Sequence, residues 1–187
     1  SGAGLCAWGD MGPGPVLKST LIESRMVLPA VEAARALGFG FFAFHEPPDN
    51  HHFYYDHTPK APFGFTRRLD IFPSQCRPWP EDYFETPPTS RLSQLLIMVP
   101  APEIEAAEAE FHRLAPGLSV IRATSPFGDG SIWLEIFAPG ISKGRAAAEL
   151  ASRLSLGPEQ AVALGNDYND RDLLDWAGRS FITADSP

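Results

Sequence analysis

The sequence predicts an α/β protein of two units: an α+β unit with an antiparallel sheet and two helices, then a short unit with parallel strands. Residues up to 138 alternate aromatic, β-favouring runs with proline-rich loops in the order β-α-β-β, β-α-β-β. Residues 139–187 follow the order α-β-α-β, which requires parallel strands joined by crossover helices. An apolar fraction of 44% in 187 residues is enough for a sizeable core.

In the first unit, the predicted elements follow from periodicity and from the residues that end them. Apolar residues at helical spacing predict a helix over Leu28–Leu37, with Pro29 in its first turn and Gly38 after its end. Seven prolines between residues 58 and 90 predict a long excursion around a single candidate strand, Phe65–Phe72. The other predicted elements are strands over 40–44, 52–55 and 95–99, a helix over 102–114, and a hairpin-like pair over 118–123 and 132–137.

The second unit is small. Ser142 is predicted to cap a helix over 143–155 that Gly157 ends. A strand over 161–164, a helix over 170–177 and a strand over 181–183 follow. Because two parallel strands and two helices cannot cover both faces of a parallel sheet, we expect the natural protein to continue beyond this sequence. The predicted division is a remnant over 1–14, the α+β unit over 15–138 and the second unit over 139–187.

Charge and composition exclude several classes of function. The 23 acidic residues outnumber the 15 basic ones and give a net charge of −8, which disfavours binding to nucleic acid or to an anionic membrane. No stretch reaches the ~18 apolar residues of a membrane span. The first residues lack the basic region of a signal peptide, so we expect a cytoplasmic protein. Cys6 and Cys76 are expected to be free thiols, with one disulfide between them as the alternative.

Two polar motifs in the second unit carry the candidate chemistry. The turn Gly165-Asn-Asp-Tyr-Asn-Asp170 follows a predicted buried strand, where open α/β sheets bind ligands, and it offers the oxygen ligands that Mg²⁺ prefers. Lys143 adds its charge to the positive end of a helix dipole, which is a phosphate-binding arrangement. The alternatives are an Asx-rich turn that caps the helix at Asp170 and a solvated surface lysine. Both motifs lie at one sheet edge, so we expect them to converge on one pocket.

At these motifs the sequence resembles a known family. The run WLEIFAPGISKGRAAAELASRLSLGPEQAVALGNDYNDRDLLDWAGRSFITADSP is similar to the C-terminal half of haloacid dehalogenase-superfamily phosphatases. The most similar subgroup is the Cof-type, or sucrose-phosphatase-like, one, marked by a glycine-hydrophobic-Ser-Lys-Gly segment and a later GDxxND segment. The resemblance implies part of a Rossmann-like core over 139–187, with the α+β unit over 15–138 as the large type IIB cap.

The resemblance also implies roles for individual residues. Lys143 matches the family lysine that holds the phosphoryl group and the charge of the nucleophile, and it is the expected catalytic residue. Asn169 and Asp170 match the pair that orders phosphate, water and metal, so Asn169 is expected to bind substrate and Asp170 to bind Mg²⁺. Asn166 stands where the family has a metal-binding aspartate. Because a neutral amide binds Mg²⁺ less strongly than a carboxylate, either Asn166 or Asp167 is the expected further ligand.

The implied function is that of a Mg²⁺-dependent phosphatase for a small phosphate monoester, with a sugar phosphate as the expected substrate. In the family, an aspartate in a DxDxT/V segment attacks phosphorus, but residues 1–140 contain no DxD, and Asp10 has no second aspartate. We therefore expect the nucleophile upstream in the natural protein and expect the present chain to be inactive. The alternative is a non-catalytic module that binds a ligand or metal. The expected partner is a small phosphorylated metabolite, and exposed cap aromatics would permit a homodimer.

Four histidines, His45, His51, His52 and His57, lie within 13 residues and have acidic neighbours. Imidazoles and carboxylates are good zinc ligands, but the spacing matches no zinc signature. Strand alternation would also place His51 and His52 on opposite faces. A turn between two strands is the simplest interpretation, with metal binding and substrate contact as alternatives. The neighbouring aromatics are expected to be core rather than a sugar-stacking platform, and three arginines are candidates either for an anionic substrate or for a solvated face: Arg67, Arg68 and Arg122.

Overall fold

The computed structural model describes residues 3–9, 12–85 and 91–187, so Asp10 lies outside the described residues. In chain order its elements are β1 (Gly4–Gly9), β2 (Gly12–Ser19), α1 (Ser24–Leu37), β3 (Phe41–His45), β4 (Phe53–Asp56), α2 (Phe63–Ile71), β5 (Cys76–Pro78), β6 (Leu92–Pro100), α3 (Ile104–Leu114), β7 (Ser119–Thr124), β8 (Ser131–Phe137), α4 (Lys143–Arg153), β9 (Val162–Gly165), α5 (Arg171–Trp176) and β10 (Arg179–Ile182).

The strands form one large sheet and two small ones. The large sheet has the order β5-β4-β3-β6-β8-β7, and its neighbours are antiparallel except for the parallel pair β4–β5. β1 and β2 form an antiparallel hairpin, whereas β9 and β10 are parallel. The mixed α/β architecture, with a mostly antiparallel sheet and a parallel pair at the end, confirms the predicted fold class.

One face of the large sheet packs against α1 and α3 to form the main core. From α1, Val27 and Val31 are buried, and from α3, Phe111 is buried. They meet alternate residues of the central strands, because side chains of a strand point to opposite faces in turn. The sheet residues buried on this face are Phe41, Ala43, Leu95, Ile97, Val99, Leu134 and Ile136.

The opposite face carries a second, aromatic cluster that is covered by α2. The predicted strand Phe65–Phe72 was therefore wrong: most of it is helix. Phe65, Leu69 and Phe72 recur at intervals of four and three residues, which is the spacing of one helix face, and all three pack against this cluster. The sheet residues buried here are Phe42, Phe44, Phe53, Leu96 and Met98.

The structure also bears on the predicted start of α1, on the two cysteines and on the predicted boundary at residue 14. Helix α1 begins at Ser24 rather than Leu28, because Val27 continues its buried face, and Pro29 therefore lies inside the helix. Cys6 and Cys76 are free thiols, as predicted. Strand β2 runs across the predicted boundary at residue 14, and the division into domains stays a prediction. Among the described residues, no helix is both long enough and apolar enough to cross a bilayer.

A carboxylate from the β7–β8 turn anchors the beginning of α2. Asp129 accepts a hydrogen bond from the Gly64 backbone N–H at 2.7 Å, and from the Ser131 N–H and Oγ at 3.2 and 2.7 Å. Pro62, at the N-cap of α2, supplies no side-chain hydrogen bond. Burial alone would raise the pKa of Asp129, but hydrogen bonds from Ser131, Ser125 and Gly64 lower it below its ordinary value. Asp129 is therefore ionised at neutral pH and caps a helix that is distant in sequence.

We predict that Asp129→Ala lowers the free energy of unfolding by about 1–2 kcal/mol, because the α2 N-terminus loses its acceptor. The folded-state pKa is lowered, so this stabilisation is present above the unfolded-state pKa and is lost as the pH falls through the folded-state value. Urea unfolding at pH 7 and at acidic pH measures both effects. Asp82→Ala, at an exposed position, is the control and should leave the urea midpoint unchanged; equal midpoints for both variants would contradict the anchoring role.

Candidate functional site

Lys143, the first residue of α4, meets the polar turn after β9. Its ammonium group donates to Asn169 Oδ1 at 2.7 Å and also to Asp170 Oδ1. The side chain of Lys143 is 30% exposed and that of Asp170 only 8%. Ser142 caps the helix, because its Oγ accepts from the Arg145 N–H at 3.2 Å, as predicted. The two motifs therefore converge, while the roles given to their residues stay predictions.

Two glycines permit this convergence. A Cβ on Gly144 would lie 2.5 Å from the backbone oxygen of Asp172, and the Gly144 N–H donates to Asp172 Oδ2 at 2.8 Å. A Cβ on Gly165 would lie 2.6 Å from the Cβ of Asp170. Both distances are too short for any real side chain, so the glycine of each motif is required by the close approach of α4, β9 and α5.

The carboxylate of Asp170 has a partner at each oxygen. Oδ1 accepts from Lys143, and Oδ2 accepts from the Asn166 N–H at 2.9 Å. Burial alone would raise the pKa of Asp170, but the hydrogen bond and charge of Lys143, with the N–H groups of Asn166 and Asp167, lower it. Asp170 is therefore a buried, ionised oxygen donor at neutral pH, next to a cation that it holds in place.

The side chains of Asn166 and Asp167 make different contacts from that of Asp170. The side chain of Asn166 is exposed, and its backbone N–H is what reaches the site. The carboxylate of Asp167 accepts from the Thr124 N–H and Oγ1 at 2.6 and 2.8 Å and from the Tyr168 N–H at 2.8 Å. Asp167 thus caps the short 3-10 helix over 168–170 and ties it to β7. The predicted alternative of a capping turn is therefore met by Asp167, at the 3-10 helix that leads into α5, whereas the Asp170 side chain makes no capping bond.

Glu135, on β8, is a site neighbour that the sequence analysis missed. Burial raises the pKa of Glu135, and interactions with Gln94, Lys143 and Asn169 oppose that rise. Gln94 Nε2 donates to Glu135 Oε1 at 3.2 Å. The second face of the large sheet therefore extends from the aromatic cluster to the lysine and its turn. The available signal was a lone charged residue within the apolar strand Ser131–Phe137.

Arg68, on α2, lies over the same sheet face. Its guanidinium carbon is 5.1–5.6 Å from the centroids of five aromatic rings: Phe42, Phe44, Phe53, Phe72 and Trp133. Burial lowers the pKa of Arg68, and the charge of Glu135 opposes that shift. Within the described part of the chain, Arg68 Nε and Trp133 Nε1 are buried and lack a hydrogen-bond partner. An unpaired buried donor costs free energy, and both atoms are enclosed within the aromatic cluster.

The other two candidate arginines have ordinary surroundings. Arg67 is exposed on α2. Arg122, on β7, forms an ion pair with Glu108 of α3, with Nε and Oε2 2.7 Å apart. Of the three arginines, Arg68 alone lies over the aromatic face of the sheet.

Comparison with known sequences identifies the family. Residues 15–187 match the family described as haloacid dehalogenase-like hydrolase. Phosphoglycolate phosphatase from Methanoculleus marisnigri is 34% identical over 59 residues, which cover 32% of this chain and 25% of that protein. The match to this curated relative therefore spans a quarter of the relative's length.

Comparison with solved structures agrees on the fold. A haloacid dehalogenase-like hydrolase from B. subtilis has a TM-score of 0.72 at 16% identity, over 100% of this chain and 68% of that one. A protein among the HAD-superfamily phosphatases, from Bacteroides thetaiotaomicron, has a TM-score of 0.69 at 20% identity, over 93% and 58%. A HAD subclass IIB sugar phosphatase has a TM-score of 0.66 at 14% identity, over 92% and 59%. The chain belongs to the haloacid dehalogenase-like hydrolase family.

Proposed function

We propose that the natural protein is a Mg²⁺-dependent phosphatase that hydrolyses a small phosphate monoester, with a sugar phosphate as the expected substrate. The observation that carries this proposal is the contact of Lys143 with Asn169 and Asp170 at the start of α4. Family membership supports it, as does the name of the relative that is a phosphoglycolate phosphatase. Structural likeness to a subclass IIB sugar phosphatase supports the substrate class.

The surroundings of Lys143 support its proposed role in binding the phosphoryl group. Lys143 begins an 11-residue helix, whose dipole adds to the attraction of the ammonium group for an anion. The N–H groups of Gly144 and Arg145 already donate to Asp172 and Ser142, so the charge of Lys143 is the main attraction. In phosphoryl transfer, catalysis comes mostly from positioning and from neutralising the charge on the equatorial oxygens. Asn169 and Asp170 hold the ammonium group in one place, so little reorganisation is needed when the phosphoryl group arrives.

The oxygen donors of the turn fit a hard cation. Asp170 offers an ionised carboxylate and Asn169 an amide oxygen. Asp167 offers a second carboxylate if its hydrogen bonds from Thr124 are replaced by metal coordination. When bound, Mg²⁺ would withdraw charge from the transferred phosphoryl oxygens. The aspartate nucleophile implied by the family has no DxD segment in residues 1–140, and we propose that it lies upstream in the natural protein.

The second face of the large sheet is the proposed substrate-selecting surface. Glu135 lies beside Lys143 and Asn169, and Arg68 and Trp133 lie further along the same face. A phosphate at Lys143 would direct the rest of the metabolite towards these groups. Arg68 is half-buried, and its remaining guanidinium N–H groups are donors for acceptor atoms such as sugar hydroxyls or a second anionic group.

A non-catalytic binding module is the second candidate. It is favoured by the neutral, exposed Asn166 at the position of the family's metal ligand and by the use of Asp167 to hold Thr124. Phosphate release by the full-length natural protein distinguishes the two functions, because a module binds a phosphorylated metabolite without hydrolysing it.

We predict that Lys143→Met in the full-length natural protein lowers kcat/KM for phosphate release by about 10²–10³-fold, because the transferred charge loses its preorganised cation. The measurement is Mg²⁺-dependent release of phosphate from p-nitrophenyl phosphate and from a panel of sugar phosphates. Lys60→Met, at an exposed position, is the control and should retain activity. Equal activity of the two variants would refute the role of Lys143, and no release by the natural protein would favour the module.

We predict that Asp167→Asn raises the Mg²⁺ concentration for half-maximal activity by about tenfold, through loss of a carboxylate at the metal site. Thr124→Val is the matched control: it removes the Oγ1 contact to Asp167 but keeps the backbone N–H. This control should leave the Mg²⁺ requirement unchanged. A Mg²⁺ titration that is identical for wild type and Asp167→Asn would restrict Asp167 to its structural link with β7.

We predict that Arg68→Met lowers kcat/KM for the preferred substrate by about 10–100-fold, since a hydrogen bond to a charged group is lost. Activity towards p-nitrophenyl phosphate, which has no distal polar group of that kind, should change far less. Arg67→Met, one residue earlier and exposed, is the control. An equal loss on both substrates would mean that Arg68 only supports the fold.

A further inference from the structure

The turn between β3 and β4 brings three metal-ligating side chains together. Asp49, His51 and His52 each offer one ligand atom, and these atoms lie within 4.8 Å of one another. The rings of His51 and His52 have centroids 4.1 Å apart. The expectation that they point to opposite faces was wrong, because both precede β4 and strand alternation does not apply in the turn.

Backbone hydrogen bonds hold this turn in shape. The Asp49 N–H donates to Glu46 O at 2.9 Å, and the His52 N–H donates to Asp49 O at 2.8 Å. The His45 N–H donates to His52 O at 3.1 Å, which closes the hairpin at the end of β3. The backbone of the three residues is therefore held by the hairpin before any ligand arrives, so that binding orders only their side chains.

A cavity beside the turn adds one further candidate ligand, His45, and one cation, Arg77. His45, Asp49 and His52 line one cavity of about 400 Å³, and the ring centroids of His45 and His52 are 6.2 Å apart. Asp49 and His51 are exposed, so their side chains are free to rotate. His57 packs instead against Phe65, with ring centroids 5.3 Å apart, and is not part of the group.

We propose that Asp49, His51 and His52 form a binding site for a transition-metal cation of the Zn²⁺ type, separate from the proposed magnesium site. Two imidazoles and one carboxylate are a donor set for Zn²⁺ and its neighbours, whereas Mg²⁺ prefers oxygen ligands alone. Zinc–ligand distances of about 2.0–2.2 Å require ligand atoms ~3.4 Å apart, which rotation of the exposed Asp49 and His51 side chains supplies. The remaining coordination position is open to water or to His45. This site does not depend on the proposed phosphatase activity.

Calorimetric titration of the tag-free protein with Zn²⁺ tests the proposal. We expect one equivalent of Zn²⁺ to bind, and the double variant His51→Ala/His52→Ala to lose at least about tenfold in affinity, a change that even outer-shell partners produce. His112→Ala, an exposed histidine on α3, is the matched control and should bind as wild type does. Circular dichroism checks that each variant is folded.

Two further variants test whether a thiolate or the proposed phosphate site contributes to Zn²⁺ binding. Cys76→Ser should keep the affinity for Zn²⁺, and the Co²⁺-loaded protein should show a d–d spectrum without thiolate charge transfer. Lys143→Met should also keep it, so that failure of the zinc site and failure of the phosphatase proposal are distinguishable. Absence of Zn²⁺ binding by the wild type, equal affinity in the double histidine variant, or loss of binding in Cys76→Ser would each overturn the proposal.

Discussion

The ion pair between Lys143 and Asp170 is the contact on which the candidate site depends. Asp170 is almost fully buried, and its second oxygen accepts from the Asn166 N–H. Removing one partner of such a pair leaves an uncompensated buried charge, which is costly. The packing around it is equally restrictive, since the approach of α4 to α5 leaves no room for a Cβ at Gly144. One charge contact and its glycines therefore hold α4, β9 and α5 in a single arrangement.

One face of the large sheet forms the main core, and the other leads to the candidate site. The face against α1 and α3 carries apolar strand residues that supply the main core. The other face is aromatic where α2 covers it, and it becomes polar towards Glu135, beside Lys143. Asp167 adds a link from the turn to Thr124 on β7. These contacts connect the sheet to the turn that carries the proposed phosphate site.

The distribution of charge matters more here than its sum. The chain carries a net charge of −8, yet Lys143 and Arg68 are each partly buried, where a cation acts over a short range with little screening. The acidic remainder repels polyanions such as nucleic acid. The combination is in keeping with the proposed small phosphorylated substrate, because a small anion reaches a local cation without approaching the whole surface.

The sequence by itself determined the elements whose periodicity is strong and the motifs that a simple strand–helix alternation brings to one sheet edge. The helix α3, the strands β6 and β8, the Ser142 cap and the meeting of Lys143 with the 165–170 turn all belong to this class. Each rests on local spacing or on the shared edge of a parallel pair. Fold class and family followed from the same features.

The tertiary structure decided what depends on contacts between distant segments. Proline content suggested an extended segment before Phe72, but packing of Phe65 and Leu69 on the sheet made it helical. The partners of Asp167 and Asp129 lie 43 and 65 residues away, and no local pattern predicts such pairs. The convergence of His51 and His52 likewise required the actual turn, because side-chain direction in a loop follows individual backbone angles rather than a period.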